Sequence, residues 1–298
     1  MTRALIITNP AAARADEAHL LAARQRLSAG GLRVEIARTT GPGDGERLAR
    51  QALAGGVECV IAHGGDGTAM DVAAALVGTG VPLGLLPAGT GNLLAGNLGI
   101  GRSWRSASDV ILGGAARTVD LGRLVTATAS RVFAVAAGAG FDAELMRSTE
   151  ARHKKLFGMG AYVARAVHLA TTITRAAVRV VADDYVHEGG AALVLVANCG
   201  ELIPGLLPIH SRVLPDDGVF DVAILDAASI PGAARIVWWM FLRRPHFVPG
   251  ITFLRASRVT LSSQPPLPVQ ADGEAAGETP LTVEVLPLAL RVLAPRGT

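Results

Sequence analysis

The chain has 298 residues, half of them hydrophobic, with a formal net charge of +3 and a pI near 9.3. That length accommodates two domains with separate cores, while the mild charge and the lack of a basic run interleaved with aromatics argue against nucleic acid as a partner. Mean hydropathy is high at +0.39, yet no apolar run reaches the roughly 18–20 residues of a membrane span, so a cytoplasmic protein with greasy surfaces is expected.

The first stretch, MTRALIITNP, reads as a strand over Arg3–Thr8 that turns at Asn9-Pro10, not as a secretion signal. Helical spacing over residues 16–29 ends at Gly30-Gly31. Leu32–Ala37 is a second strand, and the loop from Thr39 to Gly45 opens a helix at Glu46–Ala54. Val57–Ala62 is a short apolar run with a β-branched core, expected as a buried strand, and Ala69–Val77 is Ala-rich and helix-prone. Val81–Leu86 is another strand, running into Pro87-Ala-Gly-Thr-Gly-Asn92 and a short helix at Leu93–Leu98. Strands alternating with helices imply a parallel α/β sheet with ligands at the strands' carboxyl ends.

After about residue 117 the pattern changes. Thr118–Leu124, Arg131–Ala137, Ala177–Ala182, Ala191–Cys199, Val219–Leu225, Arg258–Ser262 and Leu281–Leu293 read as strands separated by turn signals. Two helical stretches, at about 143–173 and 229–243, interrupt them. The expected organisation is an α/β nucleotide-binding domain over 1–117 and a mostly antiparallel β-sandwich over 118–298, whose last segment can return toward the first domain. Cys59 and Cys199 sit in apolar strand-like runs, as reduced packing residues do, and no Cys/His spacing matches a zinc site. Arg and Ala richness, with Lys154 and Lys155 the only lysines, is read as compositional bias.

The chemistry concentrates at His63-Gly64-Gly65-Asp66-Gly67-Thr68, three glycines around one carboxylate between strand and helix. Glycines let backbone approach a ligand closely, and N–H groups at a helix start favour phosphate oxygens. A carboxylate beside a phosphate is repelled unless Mg²⁺ bridges the two. The competing explanation is ordinary α/β punctuation, with Thr68-x-x-Asp71 as a variant capping box. Gly89-Thr90-Gly91-Asn92 holds the same position one unit later, where Thr90 and Asn92 supply either ligand contacts or a helix cap.

These two loops, with Gly138-Ala-Gly-Phe-Asp142, Asp217-Gly218 and Asp272-Gly273-Glu274, resemble the diacylglycerol kinase catalytic family, which includes bacterial lipid kinases and sphingosine kinases. The resemblance runs in order through nearly the whole chain. It implies ATP with Mg²⁺ and a cleft between the two domains. Asp66 would stand beside the phosphates and the metal. The backbone of Gly64, Gly65, Gly67, Thr68, Ala69 and Met70 would cradle the nucleotide, with Thr90, Asn92, Thr40 and the Asn9 turn contributing. It also implies a structural Mg²⁺ held by Asp217 and the main chain of Leu214 and Val219, with Asp216 as an alternative ligand; bare sequence reads the same residues as a turn. Glu274 resembles the family's general base, which would take the proton of an attacking lipid hydroxyl. Without the resemblance Asp272-Gly273-Glu274 is an exposed hairpin.

Two positions depart from the family: Leu93 replaces an acid and Met70 replaces an asparagine. The implied activity is an ATP-dependent lipid kinase acting on diacylglycerol or a sphingoid-type alcohol. The rivals are a soluble-substrate kinase of the NAD kinase type and a lipid- or nucleotide-binding protein without turnover. Ile236–Leu242 with Trp238 and Trp239, followed by Arg243-Arg244, suits either a membrane-surface segment or a helix packed on the sandwich. Arg147, Arg152, Lys154 and Lys155 form a weaker basic cluster. The oligomeric state is open.

Overall fold

The computed structural model describes residues 2–140, 175–203, 207–208, 215–226 and 250–296. Phe141, Asp142, Leu214, the helical stretches expected at about 143–173 and 229–243, and with them both basic clusters and Trp238 and Trp239, lie outside the described residues. The chain divides into one unit of Met1–Leu121, Ile203–Gly205 and Pro287–Thr298 and another of Gly122–Leu202 and Leu206–Leu286.

In the first unit, strands β1 (Arg3–Thr8), β2 (Arg33–Arg38), β3 (Cys59–Gly64) and β4 (Leu83–Pro87) are parallel, in the order β2-β1-β3-β4. The helices are α1 (Glu17–Ala29), α2 (Asp44–Ala54), α3 (Asp66–Leu76), α4 (Leu93–Asn97) and α5 (Trp104–Gly113). Helix α1 packs with α5, and α2 with α3. Right-handed crossovers place these pairs on opposite faces, because β1 leads to one side of the sheet and β3 to the other. All six residues of β3 are therefore buried, which is why its sequence is apolar without alternation. The order reverses between β1 and β3, and the crevice of an open α/β sheet opens at such a reversal, at the carboxyl ends.

Strand β5 (Ala115–Thr126) carries the chain into the second unit. There follow β6 (Ser130–Phe133), β7 (Ala136–Gly140), β8 (Ala176–Ala182), β9 (Tyr185–Ala191), β10 (Leu193–Ala197), β11 (Glu201–Ile203), β12 (Leu207–Pro208), β13 (Phe220–Leu225), β14 (Ile251–Ala256), β15 (Arg258–Gln264), β16 (Pro268–Ala271), β17 (Glu274–Glu278) and β18 (Leu281–Ala294). One antiparallel sheet runs β14-β13-β10-β7-β16-β17. A second layer pairs β9, β8, β15 and the start of β18, again antiparallel. Inward residues of both layers form one core, in which Val180, Val259 and Val283 join Val194, Val222 and Val269. Phe133 stacks on Phe220 with ring centroids 5.7 Å apart. The end of β18 belongs to the first unit, where Val292 lies opposite Leu83 of β4 in parallel.

The α/β-plus-antiparallel architecture is the one expected. Cys59 and Cys199 are free and buried, and burial pushes the Cys59 thiol up to about 12. Three details differ from the sequence reading. The strand expected over Arg131–Ala137 is two strands, interrupted at Ala134-Val135. Helix α3 begins at Asp66 and not at Ala69, so Thr68 lies inside the first turn and Gly65 holds the cap position; the capping-box explanation of Thr68 therefore fails. Helix α5 and strands β9, β11, β12, β14, β16 and β17 were not anticipated.

Candidate active site

The carboxyl ends of β1 to β4, the loops that leave them and the first turn of α3 together hold every residue expected near a nucleotide. Loop one is tied down by Asn9, whose N–H donates to the His63 carbonyl at 3.0 Å while its Oδ1 accepts from the Ala11 N–H at 2.9 Å. Loop two is closed by Asp44, which accepts from the Thr40 N–H at 2.7 Å and the Thr40 hydroxyl at 2.5 Å. The side chains of Asn9 and Thr40 thus shape their own turns.

Loops three and four meet through glycine. Residue 89 must lack a side chain: a Cβ there would stand 2.5 Å from Gly65 Cα and 2.9 Å from Asn92 Oδ1. A Cβ on Gly91 would reach Asp66 Oδ2 at 2.7 Å. Into that contact Asp66 projects a half-buried carboxylate. Its Oδ2 accepts from the Asn92 N–H at 2.8 Å and its Oδ1 from the Leu93 N–H at 2.5 Å. Burial raises the Asp66 carboxyl pKa above its ordinary value, and the Leu93 and Asn92 amides act in the opposite direction.

Asn92 is in the left-handed region (φ 53°) and its side chain closes on Gly89, accepting from the N–H and donating to the carbonyl, both at 2.9 Å. It caps no N–H of α4, so the helix-cap explanation does not hold for it. Thr90 is exposed and Met70 half-buried. No side chain caps α3 either, so the backbone N–H groups of its first turn are those a helix start offers to an anion.

Sequence reasoning missed the buried pair beneath this site. Thr8 Oγ1 and His63 Nδ1 are 2.8 Å apart across β1 and β3, and burial lowers the His63 pKa. The two positions are opposite partners in the β1–β3 ladder, a register that no local pattern announces.

In the second unit, Asp272 and Gly273 join β16 to β17 with φ of 47° and 84°, the left-handed pair that a two-residue hairpin demands. The hairpin reading of the bare sequence was therefore right, but Asp272 does more than turn the chain. Its carboxylate accepts from the N–H groups of Ala134, Val135 and Ala136 at 2.7, 2.9 and 2.9 Å. Those amides sit where the expected strand is interrupted, which explains the interruption. Gln270, buried, accepts from the Gly273 N–H at 2.7 Å. Glu274 is half-exposed and pairs with Arg131 at 2.7 Å.

Among the described residues no cluster of three His, Cys, Asp or Glu is arranged to hold a metal. Asp216 is exposed, and Asp217 accepts from the Val219 N–H at 3.3 Å and is ion-paired with Arg255. A divalent cation at this turn would compete with that guanidinium for the Asp217 carboxylate, and Leu214, the first of the expected main-chain donors, lies outside the described residues.

A parallel sheet with paired glycine loops at its carboxyl end, followed in the chain by an antiparallel sandwich, defines a class of two-unit kinases. Comparison with known proteins agrees. Residues 3–124 match the family described as "Diacylglycerol kinase catalytic domain", and residues 135–294 match "YegS C-terminal NAD kinase beta sandwich-like domain". The chain belongs to the diacylglycerol kinase and YegS-like lipid kinase family, phosphotransferases with an alcohol acceptor.

Similar proteins include the "Diacylglycerol kinase" of Bacillus subtilis, 29% identical over 94% of this chain and 92% of that protein. The "Probable lipid kinase YegS-like" of Pseudomonas putida is 30% identical over 89% of this chain and 86% of its own. Protein sll0036 of Synechocystis sp. is 29% identical over 79% of this chain, which spans 54% of that longer protein's length. Among solved structures, a diacylglycerol kinase from Bacillus anthracis superposes with a TM-score of 0.74 at 20% identity, covering 99% of this chain and 97% of that chain. At that identity the likeness concerns the fold.

Proposed function

We propose that this protein transfers the γ-phosphoryl group of ATP to the hydroxyl of diacylglycerol or a related lipid alcohol. The observation that carries the reading is the contact between the two glycine loops with the Asp66 carboxylate held inside it. Side chains are absent where the backbone must approach phosphates, and α3 presents an uncapped amino end to them.

Phosphoryl transfer asks mainly for positioning and neutralisation of charge. Mg²⁺ takes one or two carboxylates and otherwise keeps phosphate oxygens and waters. Asp66 therefore suffices as the protein's ligand for a metal that arrives with the nucleotide, and when bound that metal neutralises phosphate charge. Leu93 does not disqualify its loop, because it contributes its main-chain N–H, which any residue has. Glu274 is the proposed base for the acceptor hydroxyl. Among the described residues no helix is long and apolar enough to cross a membrane, so access to a bilayer lipid is proposed to be from its surface.

The test is incubation of the protein with γ-labelled ATP and Mg²⁺ against a mixed lipid extract and, separately, against NAD and sugar phosphates. Label in a phosphorylated lipid is expected. Label only in the soluble acceptors would replace the lipid reading with an NAD-kinase-like one, and binding of ATP and lipid without product would make the protein a non-catalytic sensor.

A further inference from the structure

Arg131 has no place in the expected site, yet its Nη1 donates to Glu274 Oε2 at 2.7 Å from 143 residues away in sequence. Half-exposed pairs of this kind are ordinarily worth little, since two long side chains must be ordered to form them. Here the main chain on each side is already fixed. Asp272, two residues before Glu274, holds the amides of Ala134, Val135 and Ala136, just after the strand that carries Arg131. Two residues after Glu274, the Ala276 carbonyl accepts from the Thr126 hydroxyl at 2.9 Å, at the end of the strand paired with β6. The separation of the Arg131 and Glu274 main chains is thus set by ties that bracket both, so only the rotamers of the two side chains remain to be ordered.

We propose that Arg131 is the positioning residue for the base: it takes one carboxylate oxygen of Glu274 and leaves the other directed to the acceptor hydroxyl. This rests on the reading of Glu274 given above. A charge-assisted hydrogen bond on one oxygen restricts rotation of the carboxylate, and a base must lie within hydrogen-bond reach of the proton it removes. Arg131 touches neither substrate in this scheme; it acts through Glu274.

The test is a double-mutant cycle on the full-length chain, assayed with labelled ATP and a lipid acceptor, with thermal melting as control. Glu274→Gln is expected to lower kcat about a hundredfold, in the range of a lost general base. Arg131→Ala is expected to lower kcat about tenfold, with KM for ATP and the melting temperature unchanged, because misdirection forfeits part of that factor. Arg131→Lys should recover most of the loss, and Arg131→Ala should add nothing in the Glu274→Gln background. Wild-type kcat in Arg131→Ala beside an impaired Glu274→Gln overturns the positioning role alone, as does a further loss in the double variant. Wild-type kcat in Glu274→Gln overturns the assignment of the base itself, and Arg131's role with it.

Discussion

Asp66 in the first unit and Asp272 in the second make the same local contact and leave different consequences. Each is a carboxylate at a glycine-bounded turn that gathers backbone N–H groups from a distant segment: two for Asp66, three for Asp272. In the glycine loop, the acid that holds the structure is also the acid proposed to work on the nucleotide. In the hairpin, the tasks are divided, Asp272 holding the turn and Glu274, paired with Arg131, proposed to do the chemistry. The first unit therefore cannot lose its acid without confounding fold and activity, whereas the second can lose either one separately.

The largest expected effect breaks that comparison at its confounded end. Asp66→Asn should reduce phosphoryl transfer about a thousandfold, or ~4 kcal/mol in barrier. It should also cost about 1–2 kcal/mol of stability, because an amide NH₂ must face one of two backbone donors. The sequence alone suggests that this substitution leaves the fold untouched, since a turn needs no charge; the two accepted amides say otherwise. Denaturant melting beside the transfer assay decides, and unchanged stability would mean that the two jobs of Asp66 are separable after all.

Next in size is Asp272→Ala, which strands three N–H groups and should cost about 3 kcal/mol of stability by urea unfolding. A loss below about 1 kcal/mol would show that water satisfies those amides and that the turn does not depend on the carboxylate.

The smallest effect is one of pH. Burial raises the folded pKa of Asp66 above its ordinary 3.8, so its relative stabilisation is full below about that value and is lost as pH rises through the raised folded value. Asp183, at the β8–β9 turn, behaves oppositely. Desolvation pushes it upward, but the Ser257 and Arg258 amides and the Ser257 hydroxyl outweigh that and hold it below 3.8. Its stabilisation is present above 3.8 and is lost as pH falls through its lowered value. Melting of Asp66→Asn and Asp183→Asn against the parent from pH 3 to pH 7 should give difference curves of opposite slope; parallel curves would remove the contrast.

Much of this was legible in the residues. Strands β1, β8 and β18 fall within a residue or two of the apolar runs that announce them, because β-branched runs between turn signals have few other uses. The two glycine loops stood out by their matching positions after neighbouring strands, although bare sequence left ordinary turns and helix caps as alternatives. Other elements escaped. Helix α5 begins at Trp104 behind the Ser103 cap, and strands β16 and β17 are short, Ala-rich and interrupted by Pro, Gly and Glu, so neither period stands out.

By itself the sequence determined the alternation of strands and helices up to α4, several of the later strands, the sites of the tight turns and the membership of a kinase family. Those follow from local backbone preferences and from motifs read a few residues at a time. Only the tertiary structure decided what each acid holds. Asp66 meets residues 92 and 93, Asp272 meets residues 134 to 136, and Glu274 meets Arg131, pairs 26 to 143 positions apart. A carboxylate carries no local signal of which distant amide or guanidinium will face it; strand register and loop closure choose that partner.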